Sequence, residues 1–189
     1  MGANQDKLLK DMNAEGHITT KDIKVAVAAL RSRRCTRLIA RFARSSRCTR
    51  WSDADASRLS KALERGGGAN LVALDLRGHL IGDTGGMRLA EVLGAYPRAC
   101  PNLSELQLDG NAFTAATWDR LVPFVMDHER GRLKTRDVLA AVAALHSGYC
   151  AVLDCTSIDT TWGEAEAAQL GAGIECARRK QGRLLMEEQ

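Results

Sequence analysis

Two stretches in the middle of the chain share one spacing of leucines. Residues 71–81 read LVALDLRGHLI and residues 103–113 read LSELQLDGNAF, and both fit the eleven-residue pattern L-x-x-L-x-L-x-x-N-x-L. Side chains alternate along a short strand, so the first, fourth and sixth positions of the pattern point to one interior. The ninth position is Asn111 in the second stretch and His79 in the first, and its side chain can satisfy backbone groups in the following turn. The pattern predicts two short strands, each followed by a turn and a helix.

The two ends of the chain repeat each other. Residues 16–35 match residues 131–150 at ten of twenty positions, and residues 51–59 match residues 162–170 in residue class. On the leucine frame, these ends supply two further, degenerate strands, which is typical of terminal repeats that have a neighbour on one side only. The predicted inward positions are Cys35, Leu38 and Ala40 at one end and Cys150, Leu153 and Cys155 at the other.

Capping residues and helix breakers set the predicted helix boundaries. The predicted helices cover residues 20–31, 52–65, 83–95, 114–127, 135–146 and 163–180, and they open at Thr20, Ser52, Asp83, Thr114, Thr135 and Gly163. Three glycines at 66–68 end the second helix, and Pro123 is expected to kink or shorten the fourth. The strand starts are 36, 32 and 47 residues apart, which indicates that the helix at 135–146 interrupts the array before its last strand.

The helix after the first central strand carries a motif of its own. Ile81-Gly82-Asp83 opens it, and Leu89-Ala90-Glu91-Val92-Leu93 runs along it. Over residues 70–125 the sequence resembles the ribonuclease-inhibitor-like class of leucine-rich repeats. Known members of that class inhibit ribonucleases, activate small GTPases or act as scaffolds in receptors and ciliary complexes. The resemblance therefore implies a protein partner without identifying it.

The resemblance also implies a fold and a domain organisation. The implied fold is α/β: a short, irregular solenoid with about four parallel strands, helices on the convex side and helical caps at both ends. One domain would span residues 1–189. Within it, residues 1–34 would form the N-terminal cap, residues 35–127 three repeats, and residues 128–189 an extra helix, the last repeat and a C-terminal cap.

The remaining strand positions point away from the core and form the predicted concave face. This face grades from basic in the first strand to acidic in the third, which favours a protein partner steered by charge over a small-molecule pocket. The alternative is that the face is only solvated, or is partly covered by the chain's own loops. The predicted partner-binding residues are Arg37, Arg41, Phe42, Asp75, Arg77, Glu105, Gln107, Asp109 and Asp154.

Positive charge is concentrated near the amino-terminal end. Residues 31–50 contain eight arginines and no acid, and without these eight the remaining 19 basic residues face 23 acidic ones, a net charge of −4. Arginine matches the geometry of phosphate and carboxylate, so RNA or an acidic protein surface could bind here. Alternatively, the arginines form a solvated rim that pairs with Asp53, Asp55 and Asp75. The predicted basic patch comprises Arg31, Arg33, Arg34, Arg44, Arg47 and Arg50.

The sequence has no spacing typical of a catalytic or metal site. Its six cysteines form no C-x-x-C pair and its four histidines no H-x-x-x-H pair, so we predict buried reduced thiols, no metal, no cofactor and no enzymatic activity. The predicted function is a protein–protein interaction module or scaffold subunit of a larger intracellular assembly. The alternatives are an RNA-contacting subunit of a ribonucleoprotein and a regulator of another enzyme.

Composition adds an expectation about location. The 189 residues are 45% hydrophobic but contain no long apolar run and no secretory leader pattern, so neither a membrane partner nor export is predicted. The expected compartment is the cytoplasm, with a cytoskeletal, ciliary or organellar assembly as alternatives.

Overall fold

The computed structural model describes residues 12–40, 50–95, 99–125, 132–134, 138–147, 152–154 and 164–187. Within these ranges the chain is an α/β protein with six α-helices and six short strands. It divides into two compact units, Met1–Phe113 and Thr114–Gln189. The first unit contains β1 (His17–Thr19), α1 (Ile23–Arg31), β2 (Arg37–Ile39), α2 (Asp53–Ala62), a wider π-type turn (Leu63–Gly67), β3 (Ala73–Asp75), α3 (Asp83–Ala95) and β4 (Glu105–Gln107). The second contains α4 (Ala115–Val125), β5 (Arg132–Lys134), α5 (Val138–Ser147), β6 (Val152–Asp154) and α6 (Glu164–Glu187).

A four-stranded parallel sheet organises the first unit. Its order is β1-β2-β3-β4, and Leu38, Leu74 and Leu106 are partners in register on its inner face. The predicted inward positions of the first three repeats are confirmed, except that Leu103 is only half-buried. The buried positions are Cys35, Leu38, Ala40, Leu71, Leu74, Leu76, Leu106 and Leu108. Leu30 of α1, Leu59 of α2 and Leu89 of α3 are buried as well, so both the sheet and the helices contribute side chains to the core.

Two strands were not predicted, and they change the pairing at both ends. β1 forms the edge of the first sheet beside β2, and β5 pairs in parallel with β6, with Leu133 opposite Leu153. The expectation that the strand around Leu153 is the next strand along the chain after the third repeat strand is therefore wrong in the described part of the chain, because β5 lies between them in sequence. β1 carries a single buried residue, Ile18, and one apolar position is too short a signal for a strand.

The sequence repeat is also a structural repeat. Adding 115 to the bounds of β1 and β2 gives the bounds of β5 and β6, and α1 and α5 begin at equivalent residues. The two helices bury the same three alanine positions, Ala26, Ala28 and Ala29 in α1 and Ala141, Ala143 and Ala144 in α5. Alanine at these positions lets α1 and α5 approach their neighbouring helices closely. Each end of the chain thus contains one strand–helix–strand unit followed by a helix.

The predicted helix boundaries agree with the structure to within about three residues, except that α6 extends to Glu187, seven residues beyond its predicted end. α1 begins later than expected, because the Asp22 carboxylate rather than Thr20 accepts a hydrogen bond from the amide of Lys24, at 2.8 Å. Ser52 caps α2 as predicted, and its amide donates to the Asp55 carboxylate. Gly66 ends the second helix at φ 85°, a left-handed conformation that glycine adopts without steric cost. Pro123 lies inside α4. Among the described helices, none is both long enough and apolar enough to cross a membrane.

Candidate functional site: a sheet face and an arginine turn

The face of the first sheet opposite its leucines displays polar side chains in rows. It is the face predicted above to be concave, and we call it the outer face. The register places His17, Arg37, Ala73 and Glu105 side by side in one row and Thr19, Ile39, Asp75 and Gln107 in the next. Arg77 and Asp109 continue this face just beyond the ends of β3 and β4.

An ion pair spans three strands of the outer face. A guanidinium nitrogen of Arg37 on β2 donates to a carboxylate oxygen of Glu105 on β4 at 2.7 Å, although β3 lies between them. Neighbouring strands are about 4.8 Å apart, so the two side chains must bridge about 10 Å. They can do so because the intervening residue is Ala73, which is only 4% exposed although it lies on this face. The Gln107 amide donates to the other oxygen of Glu105 at 2.7 Å and fixes its orientation.

A second ion pair lies at the end of β3. The Arg77 side chain donates twice to the Asp75 carboxylate, at 2.9 and 2.6 Å, and the backbone amide of Arg77 donates to the same carboxylate at 3.1 Å. The hydrogen bond to Asp75 raises the pKa of Arg77, and Asp109 and Glu105 add to this effect through their charge. Asp75 is therefore engaged by the residue two positions further on, and the arginine side chain is held against the sheet.

Those predicted partner-binding residues of the first unit that the structure describes thus lie on one face, and their charges largely pair with one another. Arg37 and Arg77 face three carboxylates, those of Asp75, Glu105 and Asp109. Arg41 and Phe42 lie outside the residues that the structure describes, as do Arg44 and Arg47 of the basic patch. Asp154 ends β6 in the second unit, and its side chain is not described.

The predicted basic patch is divided by the structure. Arg31, Arg33 and Arg34 lie where α1 leads into β2, near the amino ends of the strands. Arg50 instead precedes Trp51, near the carboxyl ends of the strands. We call residues 31–34 the arginine turn. All three of its arginines are exposed, and none forms an ion pair within the described part of the chain.

Hydrogen bonds fix the backbone of the arginine turn from three sides. The Ser32 hydroxyl donates to the carbonyl of Ala29 at 2.6 Å and accepts from the amide of Arg34 at 3.2 Å. The Asn70 side chain donates to the carbonyl of Arg33 at 2.7 Å. Gly16 lies so close that a Cβ there would be 2.1 Å from the carbonyl oxygen of Arg34. The turn is therefore a fixed mount for three exposed, charged side chains.

The ninth positions of the repeats satisfy backbone groups, as predicted, but mainly those of the preceding repeat rather than those of their own turn. The Asn111 side chain donates to the carbonyl of Leu76 at 2.9 Å and accepts from the amide of Ile81. One repeat earlier, His79 contacts the carbonyl of Ala40 through Nε2 and accepts from the amide of Trp51 through Nδ1, at 3.1 Å.

Both contacts of His79 are satisfied by the neutral ring with its proton on Nε2. The ring is 1% exposed and stacks on the Trp51 indole, with centroids 4.9 Å apart. Burial lowers the pKa of His79. This histidine is therefore a structural clasp between two chain segments, with both ring nitrogens occupied.

The glycines at 82–86 serve close packing. The Asp53 carboxylate accepts from the amides of Gly82 and Gly85, at 2.6 and 3.0 Å, and so occupies the amino-terminal end of α3. A Cβ on Gly85 would lie 2.7 Å from Ile81 and 2.8 Å from Asp53. The chain's own carboxylate thus takes the place that an anion would occupy at this helix end.

The thiols of Cys35 and Cys100 are protonated at neutral pH. Burial raises the pKa of Cys35 and that of Cys100 to about 11, and both are free, as is Cys176. Cys35 fills the small interior position predicted for it, while Cys48, Cys150 and Cys155 lie outside the described ranges. Within those ranges, no three His, Cys, Asp or Glu side chains are grouped as a metal ion would require.

Sequence reasoning missed two features of this region. Arg65 is exposed beside Gly66, over which the Arg33 guanidinium lies, so it belongs with the arginine turn. Its position just before three glycines, at a helix end, was the available signal. The bridge from Arg37 to Glu105 was also missed, because two strands separate its ends.

Fold and site together define an α/β protein whose parallel sheet exposes a charged outer face beside a fixed arginine turn. No known protein-family model matches the chain, and no curated protein is significantly similar to it.

Proposed function

We propose that this protein is a non-enzymatic protein–protein interaction module, built as a short leucine-rich-repeat arc, that binds its partner through the outer face and the arginine turn. One observation carries the proposal: opposite charges stand on different strands of a single face and are held in place by the bridge from Arg37 to Glu105 across Ala73. Such a fixed, mixed-sign pattern selects a partner of complementary charge and orients it.

The repeat proposal is supported by the turns as well as by the leucines. His79 and Asn111 each connect the end of one strand to the preceding repeat, and the strands they follow are neighbours in register. Side chains that bridge successive repeats at one position are what a solenoid of stacked units requires.

The chemistry of the described side chains supports a role without catalysis. A cysteine nucleophile needs a low pKa, whereas burial raises the pKa of Cys35 and Cys100 to about 11. A histidine base needs a free ring nitrogen, whereas both nitrogens of His79 are engaged with the backbone.

A charge swap tests whether a partner reads the outer face. Arg37→Glu combined with Glu105→Arg keeps an ion pair across Ala73 but reverses its direction. We expect the double variant to melt within about 3 °C of the wild type, because an exposed pair is worth at most about 1 kcal/mol. A protein that co-purifies with the wild-type chain should be retained at least tenfold less by the double variant.

The control is Arg58→Gln, which removes an exposed ion pair with Asp55 on α2, away from the outer face. It should retain the partner as the wild type does. Equal retention by the wild type and the folded swap variant would overturn the proposal and favour a face that is only solvated. Salt-sensitive retention of RNA in place of protein would favour the ribonucleoprotein alternative.

A further inference from the structure

We propose that the arginine turn, together with Arg65, is a binding site for an acidic segment of a partner protein. This inference rests on the proposed function, because it specifies the partner chemistry of the basic rim. It also narrows the site to four residues: Arg31, Arg33, Arg34 and Arg65.

The four arginines occupy two turns that touch. A Cβ placed on Gly66 would lie 3.5 Å from the Arg33 guanidinium, and one placed on Gly67 would lie 3.1 Å from Leu30, in the last turn of α1. The acidic side chain of these turns, Glu64, pairs with Arg88 of α3. The exposed arginines have no ion-pair partner among the described residues, so their charge is available to a ligand.

The backbone at Arg33 indicates that the arginine is retained for its side chain. Arg33 has φ 58° and is the only described residue other than glycine with a positive φ. A left-handed backbone clashes with any Cβ, and glycine is the usual residue at such a position after a helix. Arginine lacks the short polar side chain that makes this conformation tolerable for asparagine. The strain therefore has no local compensation from the residue type.

The second copy of the repeat supplies an internal comparison. In the alignment of residues 16–35 with 131–150, Arg31, Arg33 and Arg34 correspond to His146, Gly148 and Tyr149. In the frame that aligns Trp51 with Trp162, Arg65 falls on Cys176. The copy without arginines thus has glycine where the first copy has the strained Arg33. All four charges are specific to the first copy, although the surrounding pattern is shared.

The two turns favour protein carboxylates over nucleic acid. Residues 30–36 and 63–69 contain no aromatic side chain on which an unpaired base could stack. The backbone is held by Ser32, Gly16 and Asn70, so little of the turn has to be ordered on binding. Guanidinium groups on such a mount match carboxylates in a bidentate manner.

Fluorescence anisotropy of the full chain with a labelled ten-residue oligoglutamate tests the site. Arg33→Gly with Arg34→Tyr installs the residues of the second copy and should weaken binding about tenfold. The control, Arg120→Gln with Arg178→Gln, removes the same charge from exposed helix positions of the second unit and should change binding less than twofold. Arg33→Gly alone should weaken binding while leaving the Tm unchanged or raising it by up to about 4 °C.

Three results would overturn the inference. The first is equal loss of binding in the control, which would show that net charge alone attracts the probe. The second is a Tm lowered by several degrees in Arg33→Gly, which would show that the arginine stabilises the turn. The third is tighter binding of a labelled 20-nucleotide oligouridine that the turn variant abolishes, which would assign the site to nucleic acid.

The charge-swap variant of the outer face separates the two proposals. It should bind oligoglutamate as the wild type does, whatever happens to the natural partner. If the swap abolishes oligoglutamate binding and the turn variants do not, the acidic ligand belongs to the outer face; the present inference then fails and the proposed function stands.

Discussion

At the two ends of the strands in the first sheet, the same kind of hydrogen bond serves different purposes. Where the strands begin, Asn70 and Asn102 donate to the carbonyls of Arg33 and Ala69, one repeat earlier in each case. Where the strands end, Asn111 and His79 contact the carbonyls of Leu76 and Ala40, again one repeat earlier in each case. At each end of the strands, a row of polar side chains thus connects neighbouring repeats.

The two rows differ in whether their side chains are buried or exposed. At the carboxyl ends of the strands, His79 is buried against Trp51, and its contacts satisfy backbone groups that water does not reach. At the amino ends of the strands, Asn70 is exposed and holds a turn that carries arginines. The row at the carboxyl ends therefore stabilises the fold, while the row at the amino ends mainly shapes a surface. Three changes test this contrast, in order of decreasing effect.

His79→Ala should have the largest effect. It would leave the carbonyl of Ala40 and the amide of Trp51 unpaired and create a cavity beside the Trp51 indole, which together should cost about 3 kcal/mol. His79→Asn uses the side chain found at Asn111 and should recover about half of this loss. Urea unfolding at pH 7.5 measures both. A loss below about 1 kcal/mol in His79→Ala would show that the clasp contributes little to stability.

Acid should have an intermediate effect through the same residue. Burial lowers the pKa of His79, while Asp75 and Asp55 raise it in part and Arg50 lowers it. A depressed folded-state pKa gives stability that is complete above about pH 6.5 and is lost as the pH falls further. Between pH 7.5 and 5.5 the wild type should lose more stability than His79→Asn, by at most about 1.4 kcal/mol for each pH unit below 6.5. Parallel pH curves for the two proteins would contradict this expectation.

Asn70→Ala should have the smallest effect on stability, about 0.5–1 kcal/mol, because its single hydrogen bond is exposed to water. Its effect on oligoglutamate binding should be clearer, since the arginine turn loses its connection to the next repeat. Asn102→Ala is the matched comparison: it removes the equivalent bond to Ala69, at the end of the turn that carries Arg65 alone, and should weaken binding less. Equal binding by the two variants would separate Asn70 from the site.

Much of the first unit follows from sequence because its signals are local. Leucine spacing places β2, β3 and β4, and caps and glycines place the helices. β1 and β5 escape prediction because each lies outside the leucine pattern and contains a single apolar residue, Ile18 in β1 and Leu133 in β5. A strand of that kind is stabilised by its neighbour rather than by its own pattern.

The candidate site is less predictable, because it depends on distance in space. The sequence identifies the charged positions of the outer face but not that Arg37 reaches over Ala73 to Glu105, 68 residues further along the chain. It identifies the arginine-rich run but not its division between the two ends of the strands, nor the left-handed backbone of Arg33. Register and backbone dihedral angles decide these points, and neither can be read from composition.

The clasp at His79 has a practical consequence for engineering. It joins Ala40, just after β2, to Trp51, just before α2, so one side chain fixes both ends of the intervening segment. The corresponding interval in the next repeat, from Leu76 to Ile81, is six residues shorter. The length of chain between the two anchors is therefore not dictated by the sheet or by α2. For an exchange of this interval between repeats, the boundaries to keep are therefore Ala40 and Trp51, the two residues that His79 holds.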